Sequence, residues 1–241
     1  MDNPDNAGKA GERAGPAEGG VEATRLALIG AGLSLFGSKG FAASSTREIA
    51  RAADANIASI GYHFGGKEGL RLACAQHVAG HIWRIAAAAA ALAKFPENES
   101  LLAPAEARAA VLTFAGAMVR GILGDERTLP MIDFVIREIA SPSPTLDTVY
   151  GSLIEPMHRR VCRLWGQAIG RDGESEAVRL AVFAAIGQIM YFRIAREVIL
   201  RRMGWRGYDE AAIAAIAGEI VAGVEASLDR LAVGNFAGGQ S

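Results

Sequence analysis

Residues 44–71 read SSTREIARAADANIASIGYHFGGKEGLR, and the fold of the chain turns on how this stretch is organised. Ser45 and Glu48 have the spacing of a capping box, in which a hydroxyl and a carboxylate each satisfy a backbone N–H left free at a helix start. A short helix is therefore predicted from about Thr46 to Ala53. Asp54-Ala55 makes a turn, and Asn56 is a suitable N-cap for a second short helix ending near Phe64. Ile49, Ala50 and Ala53 can pack against Ile60 and Phe64, and the small residues let the two helices cross closely. Two short helices joined by a tight turn form the helix-turn-helix pattern, whose second helix enters the DNA major groove.

Outward from this unit the chain reads as helix throughout. Before it, Leu26, Ile29, Leu33 and Phe36 make an amphipathic stripe on a helix over 22–38, which Gly40 ends. After it, Gly65-Gly66 breaks the chain and a long helix runs from Lys67 to about Lys94, beginning beside the DNA and continuing into the rest of the protein. Further helices are expected over 104–123, 126–140, 143–169 (with a kink at Pro156), 174–203 and 209–231. The 174–203 segment is apolar round much of its circumference, and so is buried on more than one side. The expected organisation is all-α with about nine helices. It comprises a disordered arm over 1–20, a three-helix DNA-binding domain over 21–66, a helical ligand-binding and dimerisation domain over 67–231, and a frayed tail over 232–241.

Composition narrows the function classes. A hydrophobic fraction of 51% supports a sizeable core, while a net charge of −1 does not by itself advertise a nucleic-acid partner. Positive charge is needed only locally, and residues 21–80 carry six Lys or Arg against four acids. The two cysteines, Cys74 and Cys162, have no metal or disulfide spacing and read as buried thiols of a cytoplasmic protein. The most apolar run, HIWRIAAAAAALAKF, is broken by Arg84 and too rich in alanine for a membrane span. No metal cluster, phosphate loop or nucleophile–base pair points to an enzyme, and no cofactor is implied. His77 and His81 stand four apart on a helix but have no third ligand nearby.

The segment ALIGAGLSLFGSKGFAASSTREIARAADANIASIGYHFGGKEGL resembles the N-terminal domain of the TetR family of bacterial transcriptional regulators nearly throughout. Its most specific parts are Phe36 with Lys39-Gly40-Phe41, Thr46 with Ile49-Ala50, and Tyr62-His63-Phe64 with Lys67 and Leu70. The later segments Glu155-Pro156-Met157-His158 and Gly187-Gln188-Ile189-Met190-Tyr191-Phe192-Arg193 are similar to the subgroup with a CecR-like C-terminal domain. Asp54 stands where that family commonly has Gly, and Gly61 where it commonly has an aromatic that touches DNA.

The resemblance implies a homodimer on a palindromic double-stranded DNA operator, released when a small-molecule inducer binds the C-terminal domain. Thr46, Tyr62, His63 and Lys67 then contact phosphates, which sets register without reading sequence. The exposed start of the second short helix, Asn56, Ile57, Ala58 and Ser59, faces the bases, with Arg47 as a further reader and Gly61 as a gap in the contact map. So few long polar side chains imply that DNA shape carries much of the specificity. The dimer interface is expected on the helices near 174–203 and 209–231. For the ligand cavity, among the fourth to seventh helices, the candidates are Phe134, Arg137, Met157, His158, Trp165, Gln188 and Tyr191. Polar groups inside apolar stretches either pair with one another or face a cavity. Both alternatives stand at this level, as does ordinary core packing for the aromatic and Met positions. A constitutive or architectural DNA binder without an inducer, an all-α enzyme and a helical interaction module are the competing readings.

Overall fold

The computed structural model describes residues 16–93, 101–141 and 143–233. Among them there are helices and no strand. Helix α1 (Pro16–Lys39) begins earlier than expected: the last five residues of the supposed arm over 1–20 are helical. Pro16 is suited to a first helical turn, where its missing N–H costs nothing. Residues 1–15, 94–100 and 234–241 lie outside the described part, and with them most of the expected arm and tail and the end proposed at Lys94. The buried side of α1 is Leu28, Ile29, Leu33 and Phe36, so Leu28 replaces the expected Leu26, which is exposed.

The capping box of α2 (Thr46–Ala52) is complete: the Glu48 amide donates to Ser45 Oγ at 3.2 Å and the Ser45 amide to Glu48 Oε2 at 3.0 Å. Lys39 adds an ion pair to the same carboxylate at 3.0 Å. With the Ser45 bonds, it holds the Glu48 carboxyl down at about 2, far below the usual range. After α2 the Ala55 amide reaches back to the Ala50 carbonyl at 2.9 Å and the Asp54 amide to Arg51 at 3.2 Å, the bond pair of a Schellman motif. Asp54 occupies its left-handed position with φ 50°, a place glycine fills without strain. Asn56 Oδ1 then accepts from the Ala58 amide at 2.9 Å and starts α3 (Ala58–Phe64). Ile49, Ala50 and Ile60 close a small core with α1 and with Leu70 of α4 (Lys67–Leu92).

The larger part is built round α5 (Pro104–Leu123), which packs on α4, on α8 (Glu155–Ile169) and on α11 (Glu210–Val233). Between them run a 3-10 turn (Glu126–Thr128), α6 (Leu129–Ala140), α7 (Pro144–Val149), α9 (Glu176–Ile194) and α10 (Arg196–Met203). The expected kink at Pro156 takes the form of a π turn over Tyr150–Ile154 that joins α7 to α8. Proline has no N–H for the preceding turn, and the Ser152 carbonyl four residues back accepts from the Trp83 indole of α4 at 2.9 Å.

The single helix expected over 174–203 is broken at Ala195, between α9 and α10. The Phe192 carbonyl, which the Arg196 amide would take in an unbroken helix, accepts instead from Tyr208 Oη at 2.8 Å. Both α9 and α11 are long and apolar enough, by length and composition alone, to cross a membrane. The stripe Ile216, Ile220, Val224 and Leu228 of α11 is buried inside the bundle. Leu180, Phe183, Tyr191 and Ile194 of α9 stay exposed.

Candidate DNA-binding surface and ligand cavity

Helix α3 is held from one side only. Ile60 is its buried residue, and Ile57, Ala58, Gly61 and Tyr62 form an outward row. Tyr62 is 79% exposed and its ring meets His63 edge-on at 5.0 Å. A large phenol left in water without a packing role is available to a partner. Nothing lies within 4 Å of a Cβ built on Gly61, so the row has a true gap beside Tyr62. Arg47 at the start of α2 is exposed, Thr46 and Ser59 are half-buried, and Asn56 has one oxygen committed to its cap. The Lys67 ammonium stands over the Phe41 ring at 4.2 Å, a cation–π contact at the first residue of α4. The structure thus brings Thr46, Arg47, Asn56, Ile57, Ala58, Ser59, Gly61, Tyr62, His63 and Lys67 onto α2, α3, their turn and the first residue of α4.

The larger part holds a cavity of about 200 Å³ among α4, α5, α6, the π turn, α8, α9 and α11. Its wall is apolar apart from His158. That imidazole has no free nitrogen. Nε2 lies 3.3 Å from the Arg179 carbonyl, Nδ1 lies 3.5 Å from Cys162 Sγ, and the ring stacks on Phe183 at 3.9 Å. A carbonyl can only accept, so Nε2 carries the proton and Nδ1 accepts from the thiol. Burial lowers the pKa of His158 and pushes the Cys162 thiol up to about 11, so the pair is neutral at neutral pH. The cavity therefore offers a guest apolar surface and no charge.

Of the seven cavity candidates, Met157, His158 and Trp165 lie in its wall, and the other four lie outside it. Phe134 is fully buried at the junction of α1 and α6, 6.5 Å from the Phe36 ring. Arg137 donates to the Gly37 and Ser38 carbonyls at 3.0 and 2.9 Å and so satisfies the C-terminal end of α1. Gln188 lies against Gly223 of α11, and Tyr191 is exposed on α9. Pairing, not a cavity, explains Arg137. Reading polar groups as cavity markers also passed over Phe114, Met118, Leu153 and Ile189, which do line it. Their only sequence signal is apolar spacing, which core residues share. His77 and His81 are half-buried on α4, where Arg84 places its guanidinium 3.2 Å from His81 Nδ1.

Three ties fasten α4 and α6 to their neighbours. Arg71 of α4 grips Glu138 of α6 with both ends, at 2.8 and 2.7 Å, and Ser143 ahead of α7 donates to the same carboxylate at 3.0 Å. Arg137 fastens α6 to α1, helped by Gly37, where an added Cβ would come within 3.2 Å of Asp133 and Phe134. Trp83 fastens α4 to the π turn in the cavity wall.

Residues 28–74 match the bacterial regulatory proteins of the tetR family, and residues 107–228 match the C-terminal domain of the HTH-type transcriptional dual regulator CecR. CecR of Shigella flexneri is 38% identical over 194 residues, covering 78% of this chain and 84% of that protein. A TetR-family transcriptional regulator from Streptomyces coelicolor superposes with a TM-score of 0.61 at 18% identity, covering 88% of this chain and 97% of its own. The TetR-family regulator PfmR of Thermus thermophilus gives 0.56 at 18%, covering 80% and 93%.

Proposed function

The chain belongs to the TetR family of bacterial transcriptional regulators, and from that premise we propose that it is a repressor released from a palindromic operator by an uncharged, lipophilic small molecule. The observation that carries the ligand part is the apolar cavity, whose one imidazole is already fully hydrogen-bonded. A charged guest would lose its hydration there and gain no partner. A constitutive binder needs no such space.

Two copies pair through α9 and α11, which covers the exposed apolar residues of α9 and sets two α3 helices in successive major grooves. The ligand favours one of two dispositions of α4 and α6. Its effect is bounded by its differential affinity for them, commonly about 5–150-fold. The decisive experiment selects bound genomic fragments, then titrates the operator with and without saturating lipophilic guest. A fall of about tenfold or more is expected, and an unchanged affinity at saturation removes the switch.

On the DNA side Tyr62 donates to a backbone phosphate. Tyr62→Ala is expected to weaken operator binding by about 10-fold, equally across base variants of the site, as loss of one hydrogen bond to a charged group predicts. The melting temperature should not move, because the ring packs on little. A selective loss at one base position would instead make Tyr62 a base reader.

A further inference from the structure

Arg193, at the end of α9, belongs to neither surface described above. It borders a second cleft, of about 940 Å³, between the end of α5, the 3-10 turn, the α9–α10 junction and the loop over 204–209. Its lining includes Arg193, Arg196 and Arg206 with Trp205 and Tyr208. Gly204, with φ 69°, turns the chain back on itself and the Trp205 amide bonds to the Leu200 carbonyl at 3.0 Å. The hydroxyl of Tyr208 on Phe192 then holds that loop against α9. The ring of Tyr208 lies edge-on to Trp205 at 6.3 Å and beneath the Arg196 guanidinium at 5.4 Å. The cleft wall is therefore built and braced.

Its charges are unevenly spent. Arg193 gives one nitrogen to Asp133 at 2.6 Å and weakly to the Leu129 carbonyl at 3.4 Å, but its Nε is buried without a partner among the described residues. Among the described residues Arg196 has its neighbour Glu197, at 3.4 Å, and the face of Tyr208. Arg206 makes no hydrogen bond or ion pair among the described residues. Among the acids, Asp209 caps α11 through the Ala212 amide at 2.8 Å and Asp133 holds Arg193, which leaves Glu126 as the carboxylate of the lining without a side-chain bond among the described residues. A buried donor without an acceptor, beside two weakly engaged guanidiniums, calls for an anion. The indole and phenol beside them call for a flat ring.

We infer that this cleft is a second small-molecule site, one that takes an aromatic carboxylate. The carboxylate sits between Arg196 and Arg206, within reach of Arg193, and the ring lies along Trp205 and Tyr208. The guest is anionic, unlike the uncharged one proposed for the apolar cavity, and the site stands or falls without reference to operator release. Calorimetry on the full chain, free of DNA, tests it with 2-naphthoate as the probe. One equivalent is expected to bind per chain, with 2-naphthamide at least tenfold weaker. The double variant Arg196→Gln, Arg206→Gln should lose at least tenfold in affinity for 2-naphthoate with its melting curve unchanged, and Trp205→Ala should weaken the same probe. Equal binding of acid and amide, or undiminished binding by the double arginine variant, overturns the proposal. Displacement of 2-naphthoate by inorganic phosphate at comparable concentration would reduce the cleft to a simple anion patch and overturn the aromatic part.

Discussion

Glu138→Ala is expected to cost about 3–5 kcal/mol of folding stability, the usual effect of removing one partner of a buried ion pair. Glu138 is 3% exposed and Arg71 15%, so water cannot readily take the lost carboxylate's place. The guanidinium would keep only the face of Phe41, 4.5 Å away, and the Ser143 hydroxyl would lose its acceptor. Chemical denaturation at neutral pH measures the loss. A cycle with Arg71→Met should show strong coupling, the double variant recovering much of what Glu138→Ala alone loses, because two apolar residues leave no stranded charge. A single-variant loss below about 1 kcal/mol would mean that the pair is hydrated and adds little. Since the pair joins α4 to α6, the double variant should also respond less to a guest in the apolar cavity, even if as stable as the parent.

Gly69→Ala should produce the second large effect, with a sign opposite to helix propensity. Alanine normally stabilises a helix interior over glycine by about 1 kcal/mol. At Gly69 the added Cβ falls on the Phe64 carbonyl oxygen, a backbone atom that cannot rotate away. Helix α4 would have to withdraw from the end of α3, at a cost of about 2–3 kcal/mol or more. That withdrawal also tilts the row that carries Tyr62, so operator affinity should fall together with stability. Gly80 supplies the comparison within the same helix. Nothing lies within 4 Å of its Cβ position, and Gly80→Ala should raise stability by about 0.5–1 kcal/mol. If both substitutions stabilise, the close approach of Phe64 to Gly69 does not exist in solution.

These two sites mark what could be read before the structure. The helix-turn-helix was legible because its signals are local. Ser45 and Glu48 are three residues apart, Asn56 caps the helix that begins beside it, and the stripe on α1 needs only periodicity. Even so, the buried arc was displaced from Leu26 to Leu28, since periodicity fixes spacing better than phase. The cavity was not legible in the same way. Arg137 and Gln188 attracted notice as polar residues in apolar surroundings, yet their partners lie about 100 and 35 residues away, on α1 and α11. Pro156 announced a kink. It could not announce that the freed Ser152 carbonyl would be taken by Trp83, because that bond joins two helices distant in sequence. The break at Ala195 has the same origin, in a hydroxyl from Tyr208.

The chain has three tryptophans, and they are distributed with unusual economy. Trp83 bridges α4 and the π turn, Trp165 is buried in the wall of the apolar cavity, and Trp205 stands in the arginine-lined cleft. Each region therefore carries its own intrinsic fluorophore. An indole whose N–H is bonded to a carbonyl, one sealed in hydrocarbon and one beside guanidiniums emit from different surroundings. Replacing two at a time with phenylalanine would give three optical channels without any added label: one for the joint between α4 and the cavity wall, one for occupancy of the cavity, and one for occupancy of the cleft.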